Sequence, residues 1–218
     1  IDAVNEWFEV APADRVLGLS ALEFDASVYD MFGMFAVGGS VVALSAAQRE
    51  EATSWVELLT HHRVSILNCV PSMLDMILEI GGDHLGDSLR AVTLGGDWVG
   101  ADLARRLARQ VPGCRFSGLG GATETSIHNT ICEVADPPEH WATVPFGVPR
   151  RNGRCRVWSS AGRDCPDWVP ANSGWAVRMS RPAIAMIRSV PRNGSSSTTI
   201  SAGTAPVIWR ATGPMAPS

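Results

Sequence analysis

Three short apolar runs constrain this chain most: residues 40–45 (SVVALS), 64–70 (VSILNCV) and 89–94 (LRAVTL), each flanked by stretches with helical spacing. A strand that is apolar at successive positions is buried on both faces, which happens in sheets whose connections run through helices. Residues 48–62 predict a helix, with Glu50 and Glu51 in its first turn and Trp55, Leu58 and Leu59 as its apolar stripe. Pro71 opens a second helix holding Met73, Leu74, Met76, Ile77 and Leu78. Residues 100–110 predict a third, with Leu103 and Leu107 on one face, continued by Val111. Upstream, residues 14–25 read as a strand and 26–35 as the start of a helix carrying Tyr29, Met31 and Phe32; residues 114–118 return as a strand. Strand and helix thus alternate through about residue 135, the pattern of an α/β layered, largely parallel sheet with helices. Ligands in such sheets bind beyond the carboxyl ends of the strands. Asp25, Asn68, the segment 95–97 and the segment 120–124 all fall at such ends.

Residues 118–130 read GLGGATETSIHNT. Glycines remove the Cβ atoms that would keep backbone N–H groups away from a phosphate. Thr123 adds a hydroxyl donor, and Glu124 a carboxylate able to hold Mg²⁺ beside that phosphate. A tight connection between strands is the other reading of such a turn.

Composition narrows the function classes. The chain has 218 residues, 45% apolar and 18% charged, as in an ordinary globular protein. Its net charge of −4 argues against a general nucleic-acid binder. No apolar run is long enough to span a bilayer, and no basic then apolar segment marks the N-terminus, so cytoplasmic is the expectation. All 18 basic residues are arginines, so chemistry that requires a lysine must come from elsewhere. The five cysteines (Cys69, Cys114, Cys132, Cys155, Cys165) lack C-x-x-C spacing and read as buried thiols. His61 and His62, near a predicted helix end, read as a dipole-favoured pair rather than metal ligands.

From Asp136 the texture changes to proline-rich and Asn-Gly turns, and a small β subdomain is expected from residue 148 to 170. Residues 171–218 hold five arginines, no acid, and the run Gly194-Ser195-Ser196-Ser197-Thr198-Thr199, and read as disordered on composition.

Five stretches in order carry a family resemblance: LSALEFDASVYDMFG (19–33), ILNCVPSMLDMIL (66–78), LRAVTLGGDWV (89–99), GLGGATETSIHNT (118–130) and VPFGVPRRNGRCRVWSSAGRDCPDWVP (144–170). Residues 1–170 resemble part of an adenylation domain of a nonribosomal peptide synthetase, of the siderophore, phenyloxazoline- or thiazoline-synthase-like type that activates Cys, Ser or Thr. The resemblance implies a partial adenylating-enzyme core over residues 1–147. It implies attack of an amino-acid carboxylate on the α-phosphate of ATP, giving aminoacyl-AMP and pyrophosphate, then loading of a phosphopantetheine thiol on a partner carrier domain. Peptidyl carrier and condensation or cyclisation domains would be the partners. Position by position, Asp25 would hold the α-ammonium, a carboxylate pairing with a buried cation; its other reading is a helix N-cap. Ala26, Tyr29, Asn68, Thr93 and Gly95 would line the side-chain pocket with Leu119, Ile127 and His128. Gly96 and Asp97 would border the adenine; Gly120, Gly121, Ala122 and Thr123 would contact the nucleotide, with Glu124 on Mg²⁺. Asn68 with Tyr29 implies a small polar side chain. Ala26, Thr93 and His128 depart from the family's pattern, and Gly120 stands where the broader family often has an aromatic.

Three family features have no counterpart in this reading frame: a phosphate loop with its lysine, a Tyr-Arg-Thr-Gly-Asp stretch whose Asp binds ribose, and a lid lysine. A chain without them is expected to lack turnover alone, since positioned charges supply much of the rate. After Pro170 the family would continue Gly-Glu-Leu-Trp-Val-Gly-Gly, where this chain reads Ala171-Asn172-Ser173-Gly174-Trp175. A one-base shift near codon 171 allows the family's residues, so 171–218 reads as a frameshifted tail. The alternatives are a non-catalytic binding fragment, a pseudogene product, or an acyl- or aryl-CoA ligase relative, for which Asp25 would have no amine to hold.

Overall fold

A computed structural model describes residues 1–82, 85, 87–151, 153–158, 172–177, 185–189 and 200–202; for 124, 154, 156–158 and the three later stretches it describes the backbone alone. The chain divides into two compact units, one of Ile1–Gly118 with Glu133–Val144, the other of Leu119–Cys132 with Pro145–Ser218.

In the first unit, β1 (Arg15–Leu17), β2 (Ser40–Val42), β3 (Ile66–Cys69), β4 (Ala91–Leu94) and β5, which runs Arg115–Gly120, pair in parallel in the order 2-1-3-4-5. Helices α1 (Asp2–Phe8), α5 (Ala52–His61), α6 (Pro71–Gly81) and α7 (Ala101–Gln110) belong to the same unit. The fully apolar runs are the sheet's interior: every residue of β3 and of β4 is buried. Pro71 stands at the first turn of α6, where its missing N–H costs nothing. In this strand order the chain reverses its progress across the sheet between β1 and β3, and a crevice at such a switch point is where doubly wound sheets bind ligands.

Three local differences from the sequence reading have physical causes. The strand expected over residues 14–25 ends at Leu17, because its partner β2 stops at Val42 and the last rung is Gly18 N–H to the Val42 carbonyl at 3.0 Å. The helix expected from residue 26 is α2 (Ala26–Val28), a π-helical turn (Tyr29–Gly33) and α3 (Met34–Val37). Tyr29 lies over Gly33, where a Cβ would sit 2.9 Å from its ring. The helix expected over 48–62 is broken into α4 (Ala46–Arg49) and α5, with Glu51 as the second N-cap. Ser45 and Gln48 form a capping box that starts α4, a Ser-x-x-Gln signal the sequence already contained.

A buried hub ties α1 to the strand starts. Asp14 accepts from Arg90 Nε at 2.8 Å and from the Ser65 hydroxyl at 2.7 Å, while Arg90 Nη1 donates to the Phe8 carbonyl at 2.7 Å. Burial by itself would raise the Asp14 carboxyl, but the hydrogen bonds from Arg90, Ser65 and the Ala11 N–H outweigh it and leave it below its ordinary value.

The second unit holds the end of β5, a 3₁₀ turn (Thr123–Thr125), and β6 (Thr130–Glu133), which pairs antiparallel with β7 (Val148–Pro149). It also holds an antiparallel four-stranded sheet of β8 (Gly153–Trp158), β9 (Asn172–Val177), β10 (Ala185–Ser189) and β11 (Ile200–Ala202). The expectations for residues 159–171 and for the rest of the tail outside β9, β10 and β11, together with Cys165, lie outside the described residues. Cys69, Cys114, Cys132 and Cys155 are free thiols. Among the described residues no helix is long and apolar enough to cross a membrane.

Candidate functional site

Across β3, β4 and β5 the first unit gathers a row of buried polar side chains. Asn68 on β3, Thr93 on β4 and Ser117 on β5 are in register across neighbouring strands, so their side chains share one face. All three are buried, at 1%, 0% and 0% exposure, in a sheet interior otherwise apolar. Buried polar groups in such a place are costly unless paired, so their pairing is informative. Thr93 Oγ1 donates to Asn68 Oδ1 at 3.1 Å. Asn68 Nδ2 donates to Asp30 Oδ1 at 2.8 Å and to the Ala26 carbonyl at 3.3 Å. The Ser117 hydroxyl is buried without a hydrogen-bond partner among the described residues.

Asp30 sits in the π-helical turn and is 1% exposed. Burial pushes its carboxyl up to about 7; hydrogen bonding from Asn68 and Ser20 and the charge of Arg49 pull the other way without prevailing. Its Oδ2 is buried with no hydrogen bond of ordinary geometry, although Ser20 stands close by. Arg49 Nη1 holds the adjacent segment through the Leu19 and Ser20 carbonyls, at 3.2 and 3.3 Å. The same buried carboxylate, after burial itself, helps raise the Cys69 thiol far above its ordinary range. Sequence reading missed Asp30 and Ser117; a carboxylate one position after Tyr29 in an apolar helix was the available signal for the first.

The other sequence-selected residues of this unit are placed as follows. Asp25 precedes α2 but makes no side-chain capping bond, so its half-buried carboxylate is not occupied by the helix start. Ala26 is buried on the first turn. Tyr29 is 1% exposed and its hydroxyl donates to Asn5 Oδ1 at 3.2 Å, turning it toward α1. Gly95 extends the β4 ladder, its N–H donating to the Cys69 carbonyl at 3.2 Å. Gly96 has φ +83°, a conformation that favours glycine, and it lies against Phe24 and Val70. Asp97 is exposed, and its Oδ1 accepts from the Trp98 N–H at 2.8 Å.

In the second unit the glycine-rich stretch is a compact loop. The Asn129 N–H donates to the Gly120 carbonyl at 2.7 Å, and Thr125 closes the turn with its hydroxyl on the Ala122 carbonyl at 3.0 Å. A Cβ on Gly121 would run into the Ile127 carbonyl oxygen, so the loop closes only with glycine there. Ser126 and Ile127 have φ +65° and +72°; for a β-branched residue this is a strained conformation. The Gly121 and Thr123 N–H groups make no hydrogen bond among the described residues, and Thr123 is exposed. These are donors that a phosphate oxygen can accept from. Leu119 is buried at the end of β5. Burial, followed by the nearby charge of Arg150, lowers His128 to about 3, so its imidazole is neutral near pH 7. Among the described residues no cluster of three or more His, Cys, Asp or Glu side chains is placed to hold a metal.

The parallel sheet of the first unit, in the order 2-1-3-4-5 with a buried polar row across β3, β4 and β5, is of the doubly wound α/β class that binds ligands at its strand ends. The sequence profile described as AMP-binding enzyme matches residues 1–175, and the chain belongs to that family. Over 170 residues it is 51% identical to phenyloxazoline synthase MbtB of Mycobacterium sp. (strain MCS), covering 78% of this chain and 14% of that protein. It is 43% identical to pyochelin synthetase PchE of Pseudomonas aeruginosa (strain UCBPP-PA14) over 171 residues, 78% of this chain and 12% of that protein. The chain therefore spans about a sixth or less of the length of the curated relatives it matches. Among solved structures, the nonribosomal peptide synthetase FmoA3 (S1046A) in its α-methyl-L-serine-AMP-bound form superposes with a TM-score of 0.77 at 35% identity, over 82% of this chain and 20% of that one. The chain is thus of the adenylation-domain family, with nonribosomal peptide synthetases of siderophore type as relatives, and its sheet is the partial core of that fold.

Proposed function

We propose that this chain carries the amino-acid- and adenylate-binding part of an adenylation domain for a small hydroxyl- or thiol-bearing amino acid: Ser, Thr or Cys. The observation that carries the reading is the buried polar row of Asn68, Thr93 and Ser117 across β3, β4 and β5, placed where an apolar sheet has no structural need of it. Asp25, with no helix-capping bond, holds the α-ammonium. In the first unit Ala26, Tyr29 and Gly95 border the side chain, while Gly96 and Asp97 flank the adenine; in the second, the family resemblance gives Leu119, Ile127 and His128 a substrate-binding role. Gly120, Gly121, Ala122 and Thr123 would contact the phosphate through N–H and hydroxyl donors, and Glu124 would hold Mg²⁺, which would neutralise phosphate charge. The FmoA3 structures with AMPPNP and with α-methyl-L-serine-AMP support ATP and a hydroxyl amino acid as ligands of this kind of site. Transfer to the phosphopantetheine of a carrier domain, beside condensation or cyclisation domains, places the product. The chain alone binds without turnover, because it has no lysine to stabilise charge at the transferring phosphoryl group.

The test is binding of non-hydrolysable aminoacyl-sulfamoyl-adenosines to the 218-residue chain by calorimetry, alongside amino-acid-dependent pyrophosphate exchange. Measurable binding of the seryl, threonyl or cysteinyl analogue, abolished by Asp25→Ala, with no exchange above background, is the expected result. Failure of all three analogues to bind would overturn the reading, and exchange by the chain alone would overturn its inactivity.

A further inference from the structure

Asn68 has both amide hydrogens engaged, one on the Ala26 carbonyl at 3.3 Å and one on Asp30 Oδ1 at 2.8 Å. A backbone carbonyl accepts and never donates, so this pair fixes which end of the amide is nitrogen. The oxygen end is thereby turned to Thr93, whose hydroxyl donates to it at 3.1 Å. An amide oxygen has two lone pairs, and the second has no partner among the described residues. In register with Thr93 on the next strand, the Ser117 hydroxyl is also buried and unpartnered. The row is therefore short of hydrogen-bonding groups on the ligand side, while the Asn68 nitrogen is fully occupied.

We propose that Asp30 is a positioning residue: by holding the Asn68 amide it presents the amide oxygen, and not the nitrogen, to a bound amino acid, so that Asn68 favours a side chain carrying an O–H over an isostere without one. This rests on the amino-acid-adenylating reading above. Asp30 itself touches no substrate; it acts through Asn68. Its own burial supports the assignment, since an apolar residue would pack in the turn without the desolvation that a carboxylate suffers. Removing the carboxylate leaves an Asn68 N–H unsatisfied in the sheet interior, and the amide then turns to find another acceptor, giving up the orientation that the ligand reads.

The experiment compares affinities of the full chain for seryl- and alanyl-sulfamoyl-adenosine in the wild type, Asp30→Asn and Asp30→Leu. The wild type should prefer the seryl compound by about tenfold, the worth of one well-made hydrogen bond. Asp30→Asn keeps an oxygen for the Asn68 amide and should hold that ratio within about threefold, while Asp30→Leu should bring it close to one. A ratio unchanged in Asp30→Leu, with both affinities lowered alike, would reduce Asp30 to packing and overturn the proposal while leaving the proposed function standing. A wild type that binds neither compound would instead overturn the functional reading. If Asp30→Leu does not fold, the side-chain amide resonance of Asn68 in the wild type decides. Slow solvent exchange with a shift that follows Asp30 ionisation supports the lock, and rapid exchange refutes it.

Discussion

Asp30→Asn should flatten the dependence of folding stability on pH. In the folded chain burial lifts the Asp30 carboxyl from 3.8 to about 7, against the hydrogen bonds of Asn68 and Ser20 and the charge of Arg49. Between those values the folded state binds the proton that the unfolded state has released. Stability therefore falls as pH rises from about 4 and levels off above about 7. At 1.36 kcal/mol per unit the whole window is worth about 4 kcal/mol, and the part between about pH 5 and about pH 8 roughly 2.5 kcal/mol. The groups that face Asp30 do not blur the signal. Asn68 and Ser20 do not titrate, and the Cys69 thiol is raised far out of the window by burial and by Asp30 itself. The substitution is close to isosteric and keeps an oxygen for Asn68, so its effect is on charge. Urea unfolding followed by tryptophan fluorescence at the two pH values, in both proteins, gives the difference directly. The wild type should lose roughly 2.5 kcal/mol more than the variant on going to the higher pH. Equal losses would refute the claim that Asp30 is buried as a carboxyl with a raised pKa.

Arg90→Ala should cost about 1–3 kcal/mol, because it leaves the buried Asp14 carboxylate short of a charged donor and frees the end of α1. Since Asp14 lies below its ordinary value in the wild type, the stability it provides is present above about pH 4 and lost as pH falls; acid titration of the variant should show a smaller loss. Gly121→Ala should strain or reopen the 3₁₀ loop, because the added methyl meets the Ile127 carbonyl, at a cost of about 1–3 kcal/mol in thermal unfolding together with weaker binding of ATP. Resequencing the encoding DNA across codon 171 should reveal an extra base that restores Glu-Leu-Trp-Val-Gly-Gly after Pro170. The present frame reproduced in independent isolates would refute the frameshift.

The contiguous apolar runs that became β3 and β4, the helix opened by Pro71 and the glycine-rich loop were readable from the sequence, because each is specified by short-range chemistry. Burial on both faces forces continuous apolarity, a proline marks a first turn, and a tight loop excludes a Cβ. The end of β1 was not readable. A strand stops where its neighbour's hydrogen bonds stop, and the limit of β2 at Val42 is a fact about the partner. Asn68 and Asp25 could be picked out by position near expected strand ends, and Thr93 through the family resemblance. Whether their polar atoms were occupied could not, since that depends on which residues arrive across the sheet. Asn68 and Thr93 are 25 residues apart and Asn68 and Asp30 are 38 apart, yet strand register and the π-helical turn put them within hydrogen-bonding distance. The same register placed Ser117 in the row, and the same turn buried Asp30, moving its carboxyl into the range where it titrates near neutral pH. The sequence by itself determined the alternation of layers, the loop chemistry and the family. Only the tertiary structure decided which polar side chains meet, because pairing and desolvation are properties of the packed interior rather than of any segment alone.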